Sequence, residues 1–467
     1  MLNFTQLYLG IFTLFISGLS FLNIIYCYYF KLYLDINSFF FVFLSTLLFG
    51  CVILFKKKNI EKVSIFKKIL TVLTGYLLLP ILLSVPYYLA INNISFLDSY
   101  FEAVSGFTST GFSIFYNIKH LNESLILWRT STQWLGGLYF LISIVLLIDI
   151  FDNNLKKSLT NFINFNINET LKQSLKISVI YLLLTLIIFL ILYFSGIRLF
   201  NSFNLSLSII SSGGFIPVND ISLIINDKPK EVILALTMLL SFFSLYFTYN
   251  LVFFRRRNIN FFSEDLYLGF YLIFLIFFFY IFLNSENNFS SIFFAICSSI
   301  SNIGISTNIP KDLSFIFLIL IIIGGSFFST SSGIRFFKLL LLFKFSINEL
   351  VSHSKPKSIF ISKLSLFNFT FTNEDFYKYF MSVIIFVISL TLLSLLLTIS
   401  GINSENAFRL SILTLMNTVN SSLSGLDDFT FYDLDIFSKL SLILFMMIGR
   451  VELISILIIS KKFFFKD

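Results

Sequence analysis

"DSYFEAVSGFTSTGFSIF", residues 98–115, lies between two long apolar stretches and reads as neither a membrane span nor a loop. A hydrocarbon core of about 30 Å needs about 20 helical residues to cross, so this segment is too short. It is also too apolar for an exposed loop, and it ends in a cluster of hydroxyls and a glycine. A half-length helix that enters a membrane and turns back reconciles these features. Irregular backbone at that depth is tolerated only where protein or water surrounds it, because an unsatisfied peptide group in lipid costs several kcal/mol.

The rest of the chain makes the membrane setting necessary. Of 467 residues, 57% are hydrophobic and only 12% charged, more apolar surface than a water-soluble core could hide. Apolar windows near 7–28, 39–55, 69–90, 125–151, 177–195, 232–254, 266–283, 313–343, 377–399 and 436–459 predict about ten helical spans. They lack the short alternation of outer-membrane strands. Basic clusters follow every second window: Lys56 to Lys68, Lys156 and Lys157, Arg255 to Arg257, Lys355 with Lys357 and Lys363, and Lys461 with Lys462 and Lys466. Lysine and arginine concentrate in cytoplasmic loops, so these loops and both termini are expected on the cytoplasmic side. The net charge of +8 is mostly this asymmetry, which points to no nucleic-acid partner. The opening residues lack a basic n-region and a small-residue cleavage site, and are expected to stay as a helix. Cys27, Cys51 and Cys297 all fall in apolar runs and there are two histidines. No disulfide framework, His-ligated metal or redox cofactor is expected. The 65 phenylalanines, alongside abundant Ile, Asn and Lys, fit an AT-rich coding sequence, so no aromatic stripe is taken as a site.

The half-length segment recurs. "FEAVSGFTSTGF" (Phe101 to Phe112), "NLSLSIISSGGF" (Asn204 to Phe215), "FAICSSISNIGI" (Phe294 to Ile305) and "LSILTLMNTVNS" (Leu410 to Ser421) each carry an apolar body, small polar residues and a turn-permitting position. Aligned, Gly111, Gly214, Gly304 and Asn420 share one column, about a hundred residues apart, which makes a fourfold internal repeat. The expected fold is an all-α integral membrane protein with four pseudo-symmetric repeats of helix, re-entrant pore helix and helix around a central pore. Two N-terminal transmembrane helices precede them. The divisions are 1–65 for the N-terminal pair, then repeats at 66–152, 153–258, 259–350 and 351–467.

A half-helix entering from outside aims its carbonyl end at the membrane centre, where it carries roughly half a negative charge. Four such ends converging favour a dehydrated cation. Backbone carbonyls, with the hydroxyls of Thr108, Ser109, Thr110, Ser211, Ser212 and Ser301, can replace a hydration shell, and glycine lets the chain turn carbonyls inward. The candidate ion-binding set is Ser109, Thr110 and Gly111; Ser212, Gly213 and Gly214; Asn302, Ile303 and Gly304; and Thr418, Val419 and Asn420. Any one such tip could be a plain helix C-cap; four in register argue for a shared site.

Two further features need a reason. The eighth window is interrupted by "GGSFFSTSSG", with Gly324, Gly325, Ser329, Thr330, Ser331, Ser332 and Gly333 in mid-span. Glycine in a helix interior costs about 1 kcal/mol against alanine, and the plain reading is a kink or a small-residue packing face. Arg450 sits near the middle of the tenth window, where a charge costs at least about 2.5 kcal/mol, so it should face a pore or a partner. Glu452, two residues on, points elsewhere on the helix. Asp98, Glu102, Asp220, Asp227, Glu405, Asp427, Asp428, Asp433 and Asp435 crowd the outer side. Asp98 and Glu102 are expected to complement half-helix N-termini, and others to concentrate cations at the mouth.

The tips "TSTGF" and "SSGGF", with "WRTSTQWLGGL" (Trp128 to Leu138), "GGSFFSTSSGIRFFK" (Gly324 to Lys338) and "GRVEL" (Gly449 to Leu453), resemble the Trk/Ktr/HKT superfamily of potassium transporters, and the Trk-type membrane subunit of bacteria in particular. The resemblance covers nearly the whole chain. It implies potassium uptake across the bacterial inner membrane, with the tips as a selectivity filter, the broken eighth window as an intramembrane gate loop beneath it, and Arg450 as a fixed charge just below the filter. It also implies a homodimer docked on a cytosolic nucleotide-binding regulatory Trk subunit; the basic loops could contact that subunit or membrane lipid. In the family the fourth tip usually reads like N-N-V-G-P-G, whereas "NTVNSS" places Asn420 where glycine is expected, and Ile303 stands where a hydroxyl is common. Sodium, permeating or coupled, therefore remains a competitor for potassium. Other classes fit less well. Secondary transporters usually carry inverted repeats, and here the mid-span acids of a proton relay are missing. An intramembrane enzyme would need a nucleophile and base or a metal motif, and a scaffold would not need four matched polar tips.

Overall fold

In the computed structural model, the structure describes residues 4–55, 64–147, 170–225, 227–253, 263–283, 289–307, 313–354, 365–366, 369–370, 373–427 and 429–451. The basic clusters that set the expected orientation lie largely outside these residues, as do Asp428 and Glu452.

The helices follow the apolar windows. α1 (Phe4–Tyr29) and α2 (Tyr33–Phe55) pair as an N-terminal hairpin, and α1 packs on α3 (Ile65–Ala90). Four units then follow. In the first, α3 leads to the short α4 (Phe96–Phe107) and then α5 (Glu123–Leu146). The second runs α6 (Thr170–Phe194), α7 (Leu199–Ile210), α8 (Lys228–Phe242) and α9 (Leu245–Val252). In the third, α10 (Ser263–Leu283) and α11 (Phe289–Ile300) precede α12 (Ser314–Ile322) and α13 (Phe336–Ser354), with two-residue strands β1 (Ile323–Gly324) and β2 (Ile334–Arg335) between the last two. The fourth is α14 (Asn373–Ile399), α15 (Ser404–Met416) and α16 (Ile436–Arg450).

Among the described residues, six helices are long and apolar enough to cross a membrane: α1, α2, α3, α6, α10 and α14. Of the other four expected spans, α5 is one unbroken 24-residue helix and α16 is described as far as Arg450. The remaining two are broken, α8/α9 at Phe243 and Ser244, and α12/α13 at the β1 to β2 loop. The sequence shows the second break through its glycines. It hides the first, because that break is made by a partner: Ser326 N donates to Phe242 O (3.1 Å) and Leu245 N to Phe328 O (2.9 Å), so the inserted loop takes over hydrogen bonds at the helix interruption.

Polarity is arranged inside out relative to a soluble protein. Phe40, Phe41 and Leu48 on α2, Phe270, Ile273, Phe274 and Phe277 on α10, and Val387, Ile388, Leu392 and Leu395 on α14 are exposed. Ser105, Thr108, Thr110, Ser208, Ser298 and Thr414 are fully buried. Against lipid tails, exposing apolar residues costs nothing, while each polar group must find a partner inside. The half-length helices carry those polar groups. α4, α7 and α11 have 12 residues each and α15 has 13, a length of about 18 Å at 1.5 Å per residue. Contacts run around a closed ring: α4 to α5, α5 to α7, α7 to α8, α8 to α11, α11 to α12, α12 to α15, α15 to α16, and α16 back to α4. The C-terminal ends of the four short helices therefore meet inside one ring.

Candidate ion pathway

Each short helix ends in the same turn. The residue after its last helical turn is left-handed although it is not glycine: φ is 57° at Ser109, 52° at Ser212, 57° at Asn302 and 48° at Asn417. The next residue donates its N–H five residues back, Thr110 to Ser105 O (2.9 Å), Gly213 to Ser208 O (2.8 Å), Ile303 to Ser298 O (3.1 Å) and Thr418 to Leu413 O (3.0 Å). This is a Schellman-type ending, which satisfies terminal carbonyls without water.

The shared turn sets the register between repeats and corrects the sequence alignment at one quadrant. Ser109, Ser212, Asn302 and Asn417 are equivalent, then Thr110, Gly213, Ile303 and Thr418, then Gly111, Gly214, Gly304 and Val419. The sequence reading put Asn420 in the glycine column; the backbone puts Val419 there and moves the fourth triplet back by one. Asn420 lies beyond the column, half-buried, with its Nδ2 donating to Leu426 O (3.0 Å). Asn attracted the alignment as a turn former, but the residue that uses that tolerance is Asn417.

The glycine column converges. A Cβ added at Gly111 would lie 3.0 Å from Val419 Cβ and 3.1 Å from Gly214 Cα. One added at Gly304 would lie 2.8 Å from Val419 O, and one at Gly214 would overlap Val419 Cβ. φ is positive at Gly111 (83°) and Gly304 (77°), where a side chain would be strained whatever the space. The residues from Thr108 to Phe112, from Ser211 to Phe215 and from Ser301 to Ile305 are buried, as are Asn417 and Thr418.

The tips are braced from behind by the Trp128 to Leu138 segment of α5. Arg129 Nε meets Glu102 Oε1 at 2.7 Å with both side chains buried. Glu102 also accepts from Ile114 N (3.0 Å) and Ser113 Oγ (3.2 Å), so the pair fixes the strand leaving the first tip. The expectation that Glu102 complements a helix N-terminus is corrected here: it sits mid-helix and is neutralised by arginine. Asp98 does lie in the first turn of α4, and it also holds Lys439 Nζ of α16 at 2.7 Å. Gln133 Oε1 accepts from Phe215 N (3.2 Å) behind the second tip, and Arg129 Cζ lies 4.1 Å from the centre of the Phe215 ring. Trp134 Nε1 donates to Thr185 Oγ1 (3.0 Å) on α6. A Cβ on Gly136 would overlap Phe107 O, so α5 touches the end of α4 directly.

Beneath the tips lies the loop between β1 and β2. Thr330 Oγ1 donates to Ile210 O (2.8 Å) and lies 3.1 Å from Ser212 Oγ; Ser331 Oγ donates to Asn302 Oδ1 (2.7 Å). Gly324 and Gly333 touch backbone to backbone, leaving no room for a Cβ on Gly324 beside Ser332 O, and Gly325 is pressed against Phe242 O. Ser329 Oγ closes on Ser326 O (2.7 Å). Arg335 Nη1 donates to Ser326 O (3.1 Å) and Ser331 O (2.8 Å), and Glu264 accepts from Phe327 N (3.0 Å). Arg450 completes the layer. Its Nη1 donates to Ser332, its Nη2 lies 3.5 Å from Ser109 Oγ and from Ser211 O, and its Cζ stands 4.2 Å from the centre of the Phe140 ring. The loop and Arg450 together reach three of the four tips. Sequence reasoning missed Arg335, Glu264 and Asn417 here. Arg335 stood inside a quoted motif, whereas Glu264 looked like an ordinary acidic residue at a helix start.

This architecture is matched elsewhere. The chain matches the family model of TrkH, a cation transport protein, over residues 35–263. It is 25% identical to an uncharacterized cation transporter of Methanocaldococcus jannaschii over 401 residues, 82% of this chain and 80% of that one. It is 24% identical to the Trk system potassium uptake protein TrkH of Escherichia coli K12 over 407 residues, 80% of each. The crystal structure of the potassium transporter TrkH from Vibrio parahaemolyticus superposes with a TM-score of 0.80 at 20% identity, covering 98% of both chains. The fold is that of an all-α membrane protein, and the proteins it matches are cation transporters. Among those matches, the Trk system potassium uptake proteins TrkH and TrkG of Escherichia coli K12 are both similar to this chain.

Proposed function

We propose that this chain is the pore-forming membrane subunit of a Trk-type uptake system, and that it passes potassium inward across the bacterial inner membrane with both termini cytoplasmic. The observation that carries the reading is the convergence of four helix C-termini whose third tip residues, Gly111, Gly214, Gly304 and Val419, come together inside one ring. Carbonyl ends gathered in a water-poor place favour a dehydrated monovalent cation and repel anions. In this reading Ser109, Thr110, Gly111, Ser212, Gly213, Gly214, Asn302, Ile303, Gly304, Asn417, Thr418 and Val419 line the filter. The loop Gly324 to Gly333 gates it from below, and Arg450 holds a positive charge between them. The divisions at 66–152, 153–258, 259–350 and 351–467 then each supply one quadrant of the pore. The names of its relatives support potassium as the ion and a system of more than one component. In this reading, by the resemblance described above, the partners are a second copy of the chain and a cytosolic nucleotide-binding regulatory subunit.

Complementation tests the reading. Expressed in a bacterial strain without its own potassium uptake systems, the chain should restore growth at low external potassium, and growth should track potassium rather than sodium. Restored growth that follows added sodium would favour the sodium-permeable alternative, for which Asn420 and Ile303 are the departures from the family pattern.

A further inference from the structure

Val419 is the one member of the third tip column with a side chain, and its surroundings say where that side chain goes. Around the ring the fourth tip neighbours the third and the first and stands across from the second, because α15 reaches α4 through α16 and reaches α11 through α12, with α7 on the far side. Yet a Cβ placed on Gly214, the member opposite, would overlap Val419 Cβ and lie 2.6 Å from Val419 Cγ1. On the neighbours, a Cβ on Gly304 would lie 3.1 Å from Val419 Cγ1, and one on Gly111 3.0 Å from Val419 Cβ. A side chain that meets both neighbours and the residue opposite lies across the middle of the ring. Val419 is half-buried while the glycines around it are buried.

A second contact closes the same quadrant. Ser421 Oγ donates to Gly304 O at 2.5 Å, and Ser306 Oγ lies 2.7 Å from Ser422 Oγ. The fourth tip is thus tied to the third, and one carbonyl of the glycine column already has a donor. An ion on the axis would meet the Val419 isopropyl group, and would compete with the Ser421 hydroxyl for the carbonyl of Gly304.

From this geometry we propose that the Val419 side chain is an apolar stopper across the ion path at the glycine level, which must swing aside before a cation passes. It limits throughput independently of the loop beneath. The proposal rests on the filter reading given above. An apolar constriction resists ions because it offers no ligand to replace their water and itself sheds water. Valine is stiff about χ1, so the side chain does not clear the axis by a small torsional drift.

The test is rubidium flux and the rubidium-to-sodium flux ratio in proteoliposomes for the natural chain, Val419→Gly, Val419→Ala and Gly304→Ala, each checked for a monodisperse elution profile in detergent. The stopper predicts that Val419→Gly raises rubidium flux by about tenfold and Val419→Ala by less, since alanine removes both methyls but keeps Cβ. Val419→Ala covers the case in which added glycine freedom unfolds the tip. Gly304→Ala, at a positive φ, should change the ion ratio if these tips form the filter at all. A changed ratio in Gly304→Ala with flux in both Val419 variants within about twofold of the natural chain would overturn the stopper and leave the filter reading standing. Unchanged flux and ratio in all three variants would overturn both.

Discussion

Arg450 is buried and its guanidinium reaches Ser332 of the loop below, with Ser109 and Ser211 at the margin of hydrogen bonding. In the proposed reading, a fixed positive charge so placed would raise the energy of a cation leaving the tips, so Arg450→Ala should increase rubidium flux or relax ion preference. Tracer flux at equal rubidium and sodium would show it, and values equal to the natural chain would refute the role. Glu102 and Arg129 make a different demand. Breaking a buried pair by removing one partner costs about 3–5 kcal/mol because the other charge is stranded, so Glu102→Gln should lower the detergent melting temperature sharply. Replacing both, as in Glu102→Gln with Arg129→Met, should recover a large part of that loss; a double variant no better than the single would show that the pair acts through packing alone. At this scale the sequence was legible where chemistry is rare, as at Arg450, a charge in the middle of an apolar window. It was less so where geometry decides. Nothing in "NTVNSS" says that the left-handed residue is Asn417 and not Asn420, because both tolerate the conformation and only the hydrogen bond from Thr418 to Leu413 chooses.

The elements divide by what interrupts them. α12 and α13 are separated by a loop whose glycines meet backbone directly, Gly324 at Ser332 and Gly325 at Phe242. Gly324→Ala and Gly325→Ala should therefore change flux while keeping ion preference, since the tips are untouched; equal loss of all ions together with poor folding would mean the loop matters only for packing. Glu264 anchors the same loop through Phe327 N. Glu264→Ala leaves that buried N–H without its acceptor, at a cost of about 1–3 kcal/mol, and should loosen the closed loop and raise flux. Flux below that of the natural chain in a folded Glu264→Ala protein would reverse this assignment. The break in the eighth window was legible from its composition. The break between α8 and α9 was not, because no glycine or proline marks Phe243 and Ser244, and the interruption depends on a loop about 80 residues further along the chain.

For the molecule as a whole, hydropathy placed the spans because lipid as solvent forces long apolar helices, and the internal repeat placed the four short helices. Neither could reveal how the tips face one another, since that is fixed by the closed ring of contacts and by α5 pressing against the ends of α4 and α7. The central claim is that those four ends enclose one path for a monovalent cation. It is tested most directly by rubidium uptake into proteoliposomes of the purified chain, with unlabelled potassium or sodium as competitor. The account predicts saturable uptake suppressed by potassium at lower concentration than by sodium. Uptake equal to that of protein-free vesicles, in the natural chain and in Val419→Gly alike, would contradict it.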